Sequence, residues 1–327
     1  LAACTKSEVV ELNKGNEISL TAVTGKNLTK AADGYCNKAM PADFAVWAAT
    51  DGKKYFEAQT YTRDGSTNTY KSTNARYWPT TDVDFFAAKN YGGSATLTAT
   101  DPTSLAIADY TVPTTVATQK DFIYAVKKGA KKADGAAALN FRHALSQIEF
   151  QAKNSNSGIY VEVTGVAVKQ VYSKGNFSVN VATTNNFVDH TLGAADVDNR
   201  SGRCTWAGQD AKADYAISFD AVALGSEATS LSVTDPDGKE YNANTMYLIP
   251  QAVPDLWVVP TPPTTPTPVP ATGKAYFEIT AKIWNVAGAA VDKVNDVVLH
   301  DGKIAVPFPN TTTWEDGLRY VYTFNFT

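Results

Sequence analysis

The chain has 327 residues, enough for two domains at roughly 100–200 residues each. Lys and Arg number 29 against 33 Asp and Glu, a net charge of −4, which excludes the basic footprint of a general nucleic-acid binder. Hydrophobic residues make up 44%, so a core can form, yet no run approaches the ~20 apolar residues of a membrane-spanning helix.

The N-terminal tetrapeptide Leu1, Ala2, Ala3, Cys4 has the form of a bacterial lipobox: an aliphatic residue, two small residues and a cysteine. On that reading the Cys4 thiol carries the lipid, and residues 1–15 are lipobox and tether. Cys36 and Cys204 either pair in an oxidising compartment or stand as two separate thiols; the sequence does not place them within bonding distance.

Period-two alternation dominates the chain beyond residue 15. Ile18, Leu20 and Ala22 alternate with Ser19, Thr21 and Val23 and predict a first strand. Phe44, Val46 and Ala48 predict a second, stopped by the turn signal Asp51, Gly52. Val83, Phe85 and Ala87 follow a proline entry at Pro79, and Phe122, Tyr124 and Val126 run into a basic, glycine-punctuated stretch, Lys127–Gly135. That stretch reads as a solvated linker, placing a first domain at 16–134 and a second at 135–327.

In the second half, Leu139, Phe141, His143 and Leu145 share one face, and Ile148, Phe150 and Ala152 another. The slip of one residue at Ser146 and Gln147 predicts a β-bulge. Strands are predicted at Ile159–Val163, Val166–Val171, Met246–Ile249, Phe277–Ile283 and Arg319–Thr327. The last puts Tyr320, Tyr322, Phe324 and Phe326 on one face. Six prolines within 260–270 cannot feed a sheet ladder and predict an extended insertion, either a stiff surface loop or an exposed arm. Short strands joined by Asp-Gly, Pro and Asn turns indicate an all-β fold of β-sandwiches.

No chemistry stands out. His143 falls in an inward phase and reads as a hydrogen-bonded core residue; His190 and His300 lie beside turns. No nucleophile elbow, zinc motif or phosphate loop occurs. Asp82 and Asp84 share a strand face, as solvated strand carboxylates commonly do, and Asp235, Asp237 and Gly238 read as a β-turn rather than a calcium loop. No catalytic residue, metal ligand or cofactor is therefore expected.

Several segments together resemble the Bacteroidales fimbrillins. Asn74–Pro79 followed by Val83–Ala87 is similar to their "YWP … DFFAY" core. Phe141–Ile148 is similar to the "F-x-H-A-L-S-x-I" strand that opens their C-terminal domain. Tyr247–Gln251 and Trp314–Tyr322 fall in the expected order. The resemblance implies two transthyretin-like β-sandwich domains and a pilus subunit that assembles by protease-triggered strand exchange and serves adhesion. It implies a precursor held in the outer membrane through its lipid, other fimbrial subunits as partners, and a host or bacterial surface ligand. A cut beyond the first strand would displace Ile18, Leu20 and Ala22. No arginine precedes Arg63, so Lys26 and Lys30 are the candidates, with Lys30 and Ala31 flanking the better-placed bond. The strand carrying Tyr320, Tyr322, Phe324 and Phe326 is either the donor to a neighbour or a permanent core strand. An unprocessed anchor or tip subunit, or a surface glycan-binding lipoprotein using the six tryptophans, are the rival readings.

Overall fold

The structure is a computed structural model that describes residues 16–24, 40–98, 102–180, 204–231, 244–260, 268–288 and 290–327. The chain is built from strands, as expected. The first seven are β1 (Ser19–Thr24), β2 (Asp43–Thr50), β3 (Lys53–Arg63), β4 (Thr69–Ser72), β5 (Val83–Lys89), β6 (Ser94–Leu97) and β7 (Ser104–Thr111). Then come β8 (Ile123–Ala130), β9 (Ala137–His143), β10 (Ser146–Asn154), β11 (Ile159–Asn180), β12 (Thr205–Ala223) and β13 (Thr229–Ser230). The last are β14 (Met246–Leu248), β15 (Gln251–Ala252), β16 (Tyr276–Asn285), β17 (Val298–Val306), β18 (Thr313–Trp314) and β19 (Arg319–Phe326). Among the described residues no helix is long and apolar enough to cross a membrane.

Seven strands close a barrel in the order β1-β4-β3-β2-β5-β8-β9. The β2–β3 hairpin turns at Asp51 and Gly52, whose φ values of 51° and 65° are the left-handed pair a two-residue hairpin requires. Inside the barrel lie Phe44, Val46 and Ala48 of β2, Val83, Phe85 and Ala87 of β5, and Ile123 and Ala125 of β8. The other faces of the same strands are buried too. Trp47, Phe86, Tyr124 and Val126 join a second core with Tyr110, Phe177 and Trp206. There the Phe177 ring lies 4.8 Å from Phe122 and 5.2 Å from Tyr124.

A six-stranded sheet is organised by β11, paired with β12 along one side. Its other side is shared by β16 near the start of the strand and by β7 near the end. The sequence predicted two strands here; the structure has one, continued through a register shift at Val163 and Gly165. Gly165 fits because any Cβ there would stand 2.9 Å from the Ile217 carbonyl oxygen. A further shift sits at Gln170, whose φ is 58°. The Asp214 carboxylate clasps it, accepting from the Gln170 backbone N–H and from its side-chain amide, both at 3.0 Å, while Lys169 Nζ lies 2.5 Å away. Burial alone would raise the Asp214 carboxyl, but the Lys169 ammonium and the Gln170 donors outweigh it and hold the pKa below its ordinary 3.8. A carboxyl lowered on folding adds stability above its unfolded pKa and loses it as pH falls through the folded one. Wild-type protein should therefore lose stability faster than Asp214→Asn as urea melts are taken below about pH 4, with the two parallel above it. Parallel curves throughout would remove the clasp from the account.

Two predicted features are corrected. The phase slip at Ser146 and Gln147 is not a bulge: β9 ends at His143 in the barrel and β10 begins at Ser146 in another sheet. The apolar face changes because the chain crosses between layers, through the buried pair Ala144 and Leu145. Nor are Lys127–Ala130 linker residues; they complete β8. Gly129 takes φ 61°, and its N–H donates to Asp84 Oδ1 at 2.7 Å, so a glycine and a carboxylate accommodate the irregularity. The division expected at 134/135 falls between β8 and β9, neighbours in one barrel.

Of the two remaining sheets, one is the pair β15 and β18, and the other is centred on β10, which pairs with β19 in parallel on one side and with β13 and β14 on the other. Most of the proline tract, 261–267, lies outside the described residues. Its flanks are clasped together, with the Trp257 N–H donating to the Ala275 carbonyl at 2.9 Å and the Ala275 N–H to Asp255 at 3.0 Å.

Candidate functional site

The barrel is closed by β1 alone, and that strand is the candidate site. It lies in a slot between β4 and β9, antiparallel to one and parallel to the other. Leu20 stands opposite Tyr70 of β4 and Ala137 of β9; Thr24, at its far end, stands opposite Phe141. Outside the ladder, the Ile18 N–H donates to the Arg76 carbonyl at 2.7 Å and the Trp78 N–H to the Asn16 carbonyl at 2.8 Å. The alternation read from the sequence is the one seen. Ile18, Leu20 and Ala22 are buried in the barrel core, while Ser19 and Thr21 are half-buried on the other face.

The slot is walled by Phe44 and Phe141, which the alternation pattern placed on inward faces, and by Arg63 and Tyr70, which it did not single out. Phe44 packs its ring 4.6 Å from Tyr70 and 4.9 Å from Phe141. Tyr70 Oη donates to the Pro41 carbonyl at 2.8 Å, and Arg63 Nε donates to Tyr70 Oη at 3.1 Å, with the guanidinium 5.6 Å from the ring. Burial pushes the Tyr61 hydroxyl far above the usual phenol range, so it stays neutral in this wall. The slot is therefore buried and aromatic on its inner side, and it holds β1 by main-chain pairing plus alternate apolar side chains.

The other expected site residues are distributed as follows. Cys4, Lys26, Lys30, Ala31 and Cys36 lie outside the described residues, as do His190, Asp235, Asp237 and Gly238. Cys204 is half-buried, its backbone N–H donating to Tyr124 Oη at 3.0 Å. His143 Nδ1 is 2.7 Å from Asp121 Oδ2, so the expected hydrogen-bonded histidine is found, partly shielded. Asp82 and Asp84 serve separate partners, Asp84 accepting from Gly129 within β8 and Asp82 lying 3.6 Å from Lys131 Nζ just beyond it. No cluster of three or more metal-ligating side chains occurs among the described residues. A shallow depression of 360 Å³ is lined by Trp206, Gln251, Trp314 and Glu315. Its principal polar groups are engaged: Trp206 Nε1 donates to the Ala144 carbonyl, and the Gln251 amide is held by the Tyr172 backbone.

At the other end of the chain, β19 runs beside β10 from Gln147–Arg319 to Asn154–Phe326. Its aromatic face packs on its own chain. Tyr322 lies 4.6 Å from the Phe277 ring, Phe324 stacks 6.0 Å from Phe150, and Trp314 Nε1 donates to Tyr322 Oη at 2.8 Å. Tyr320 Oη accepts the Glu315 N–H, and Phe326 is half-buried at the strand end. Missed by the sequence pattern was Glu149, buried next to β19. Its carboxylate meets Arg319, the Thr245 hydroxyl and the Gln147 amide.

The model of the fimbrillin-like family matches residues 5–327. The chain belongs to that family. Among solved structures, a fimbrial protein from Bacteroides vulgatus is 14% identical, with 95% of each chain aligned and a TM-score of 0.54. A fimbrial assembly protein from Parabacteroides distasonis is 12% identical over 94% of this chain and 90% of its own, with a TM-score of 0.40. No curated protein matches the chain in sequence. Within this fimbrillin-like chain the resembling motifs are structural. Trp78 stands perpendicular to Phe85 at 5.9 Å on the barrel wall, and Trp314–Tyr322 builds the seat of the last strand.

Proposed function

We propose that this chain is a non-catalytic structural subunit of a cell-surface fimbria that joins other subunits by strand exchange and serves adhesion. The observation that carries the reading is β1: one short strand closes the barrel through main-chain ladders on both sides and three alternating apolar side chains. A strand held in this way is replaceable by another of the same pattern. Burying Ile18 and Leu20 contributes about 1.5–3 kcal/mol each, and every ladder bond about 0.5–1.5 kcal/mol. A donor strand from a neighbour would supply the same terms.

In the finer form of the proposal the precursor is tethered to the outer membrane by lipid on Cys4. A protease cuts after Lys26 or Lys30, the latter bond leading into Ala31, and frees β1. The fold of this proposal is two transthyretin-like sandwich units, the first built around the core of Phe44, Val46 and Phe85. For β19 to be the donor through Tyr320, Tyr322, Phe324 and Phe326, it must first leave β10. The glycan-binding alternative is not advanced, because Tyr77 is the single exposed aromatic among the described residues and offers no platform.

Limited trypsin digestion of protein lacking the lipobox tests this reading, with mass spectrometry and negative-stain microscopy as readouts. Loss of the residues up to Lys26 or Lys30, followed by filaments, is the expected result. A trimmed chain that keeps β1 bound and never forms filaments would argue for an anchor or tip subunit instead.

A further inference from the structure

Half of the large apolar side chains that stand exposed among the described residues fall within six consecutive positions. Val294, Val297, Val298 and Leu299 are 89%, 65%, 43% and 54% accessible. Clustered exposed apolar side chains, unlike scattered ones, call for a covering partner. The loop that carries it is held in place. Lys293 Nζ lies 2.5 Å from Glu162 Oε1 and within 6 Å of the Tyr160 and Trp284 rings, at 5.6 and 5.9 Å. Asp292 caps the turn by accepting from the Val294 and Asn295 N–H groups. The loop leads straight into β17, the end strand of the six-stranded sheet, and no strand pairs its outer side among the described residues.

The charge pattern of β17 selects the occupant. When two copies of this strand lie antiparallel with Gly302 facing Gly302, Asp301 of each stands opposite Lys303 of the second copy. The ladder is regular from His300 to Val306; at its start a register shift sets Val298, not Leu299, opposite Trp284, so Val298 and Leu299 stand at a bulge flanking the charged contact. Sliding by two residues either way stacks Asp301 on Asp301 or Lys303 on Lys303. Sliding by one sets the outward face of one sheet against the inward face of the other. Within the chain Lys303 already pairs with Glu278 at 2.8 Å, and Asp301 with Lys282 at 3.0 Å. Joining the edges would extend these pairs into a row of alternating sign across four strands. Such a contact is isologous, the kind that closes as a two-fold dimer.

We propose that the β17 edge, with Val297, Val298 and Leu299, is a self-complementary interface through which two copies of this chain join their sheets. The contact needs neither cleavage nor release of β1, so it stands apart from the assembly proposed above.

Sedimentation velocity on the full chain across a concentration series tests it. A reversible dimer is expected, and Asp301→Lys and Lys303→Asp, each alone, should weaken it by about tenfold or more, since both cross-strand pairs become like-charged. An equimolar mixture of these two variants should recover association, because every Lys then faces an Asp; so should the double swap. The mixture also excludes misfolding as the cause of the loss. A wild-type chain that stays monomeric, single variants that associate normally, or a mixture that fails to recover would each overturn the proposal.

Discussion

A chain lacking residues 1–24 should melt far below the full chain, and a peptide spanning residues 16–24 should restore the lost stability. Deleting β1 removes the buried Ile18 and Leu20 side chains, worth about 3–6 kcal/mol together, and strips paired backbone from both β4 and β9. Total domain stability is itself only about 5–15 kcal/mol, so the open barrel should be marginal and prone to stick through its exposed edges. Added peptide should raise the melting temperature with concentration, as any ligand of the native state does. A peptide carrying Leu20→Asp should not, because a carboxylate cannot enter a slot walled by Phe44, Tyr70 and Phe141 without its own partner. Scanning calorimetry of the truncated chain against peptide concentration gives the result directly. A truncated chain that melts with the full one, or recovers equally with the Asp peptide, would mean the slot does not recognise strands by their alternating pattern.

What made β1 legible is local: three apolar residues at period two, separated by Ser19 and Thr21, need no partner to be recognised. The stop at Asp51–Gly52 was legible from the turn dipeptide alone, but the returning strand β3 that makes it a hairpin was not. The rest of the barrel was not. In β5 the neighbours Phe85 and Phe86 point to opposite faces, and both faces are buried. A search for alternation finds one face and cannot show that a second layer covers the other. The basic run at Lys127–Lys132 resembled a linker because composition does not reveal that Gly129 is held by Asp84, 45 residues earlier. At Ser146 the apolar slip was real, but its cause was a crossing between sheets, and a phase change reads the same in either case. Glu149 was hidden more thoroughly. A lone carboxylate between Ile148 and Phe150 looks like a solvent-facing position, and its partner Arg319 lies 170 residues away.

That partnership makes the second large effect. Arg319→Met should cost about 3 kcal/mol in urea unfolding, whereas Arg319→Met with Glu149→Met should cost much less. The Glu149 side chain is only 6% exposed, and the Arg319 guanidinium bonds its Oε2 through both Nε and an Nη nitrogen. Thr245 and Gln147 both serve Oε1, so losing Arg319 strands the other oxygen in the core. The Arg319 side chain is 36% exposed and partly screened, which sets the expectation at the lower end of the range for a broken buried pair. Equal losses in the single and double variants would show that the stranded Glu149 carboxylate adds no penalty of its own. The same variant also separates the two roles open to β19. Arg319 is the first residue of that strand, and its ion pair holds the parallel register against β10. If β19 is a permanent core strand, Arg319→Met lowers stability and leaves assembly slower or unchanged. If β19 must leave β10 to reach a neighbour, loosening its first residue speeds amide exchange along 319–326 and speeds filament growth after cleavage, even as the subunit itself becomes less stable.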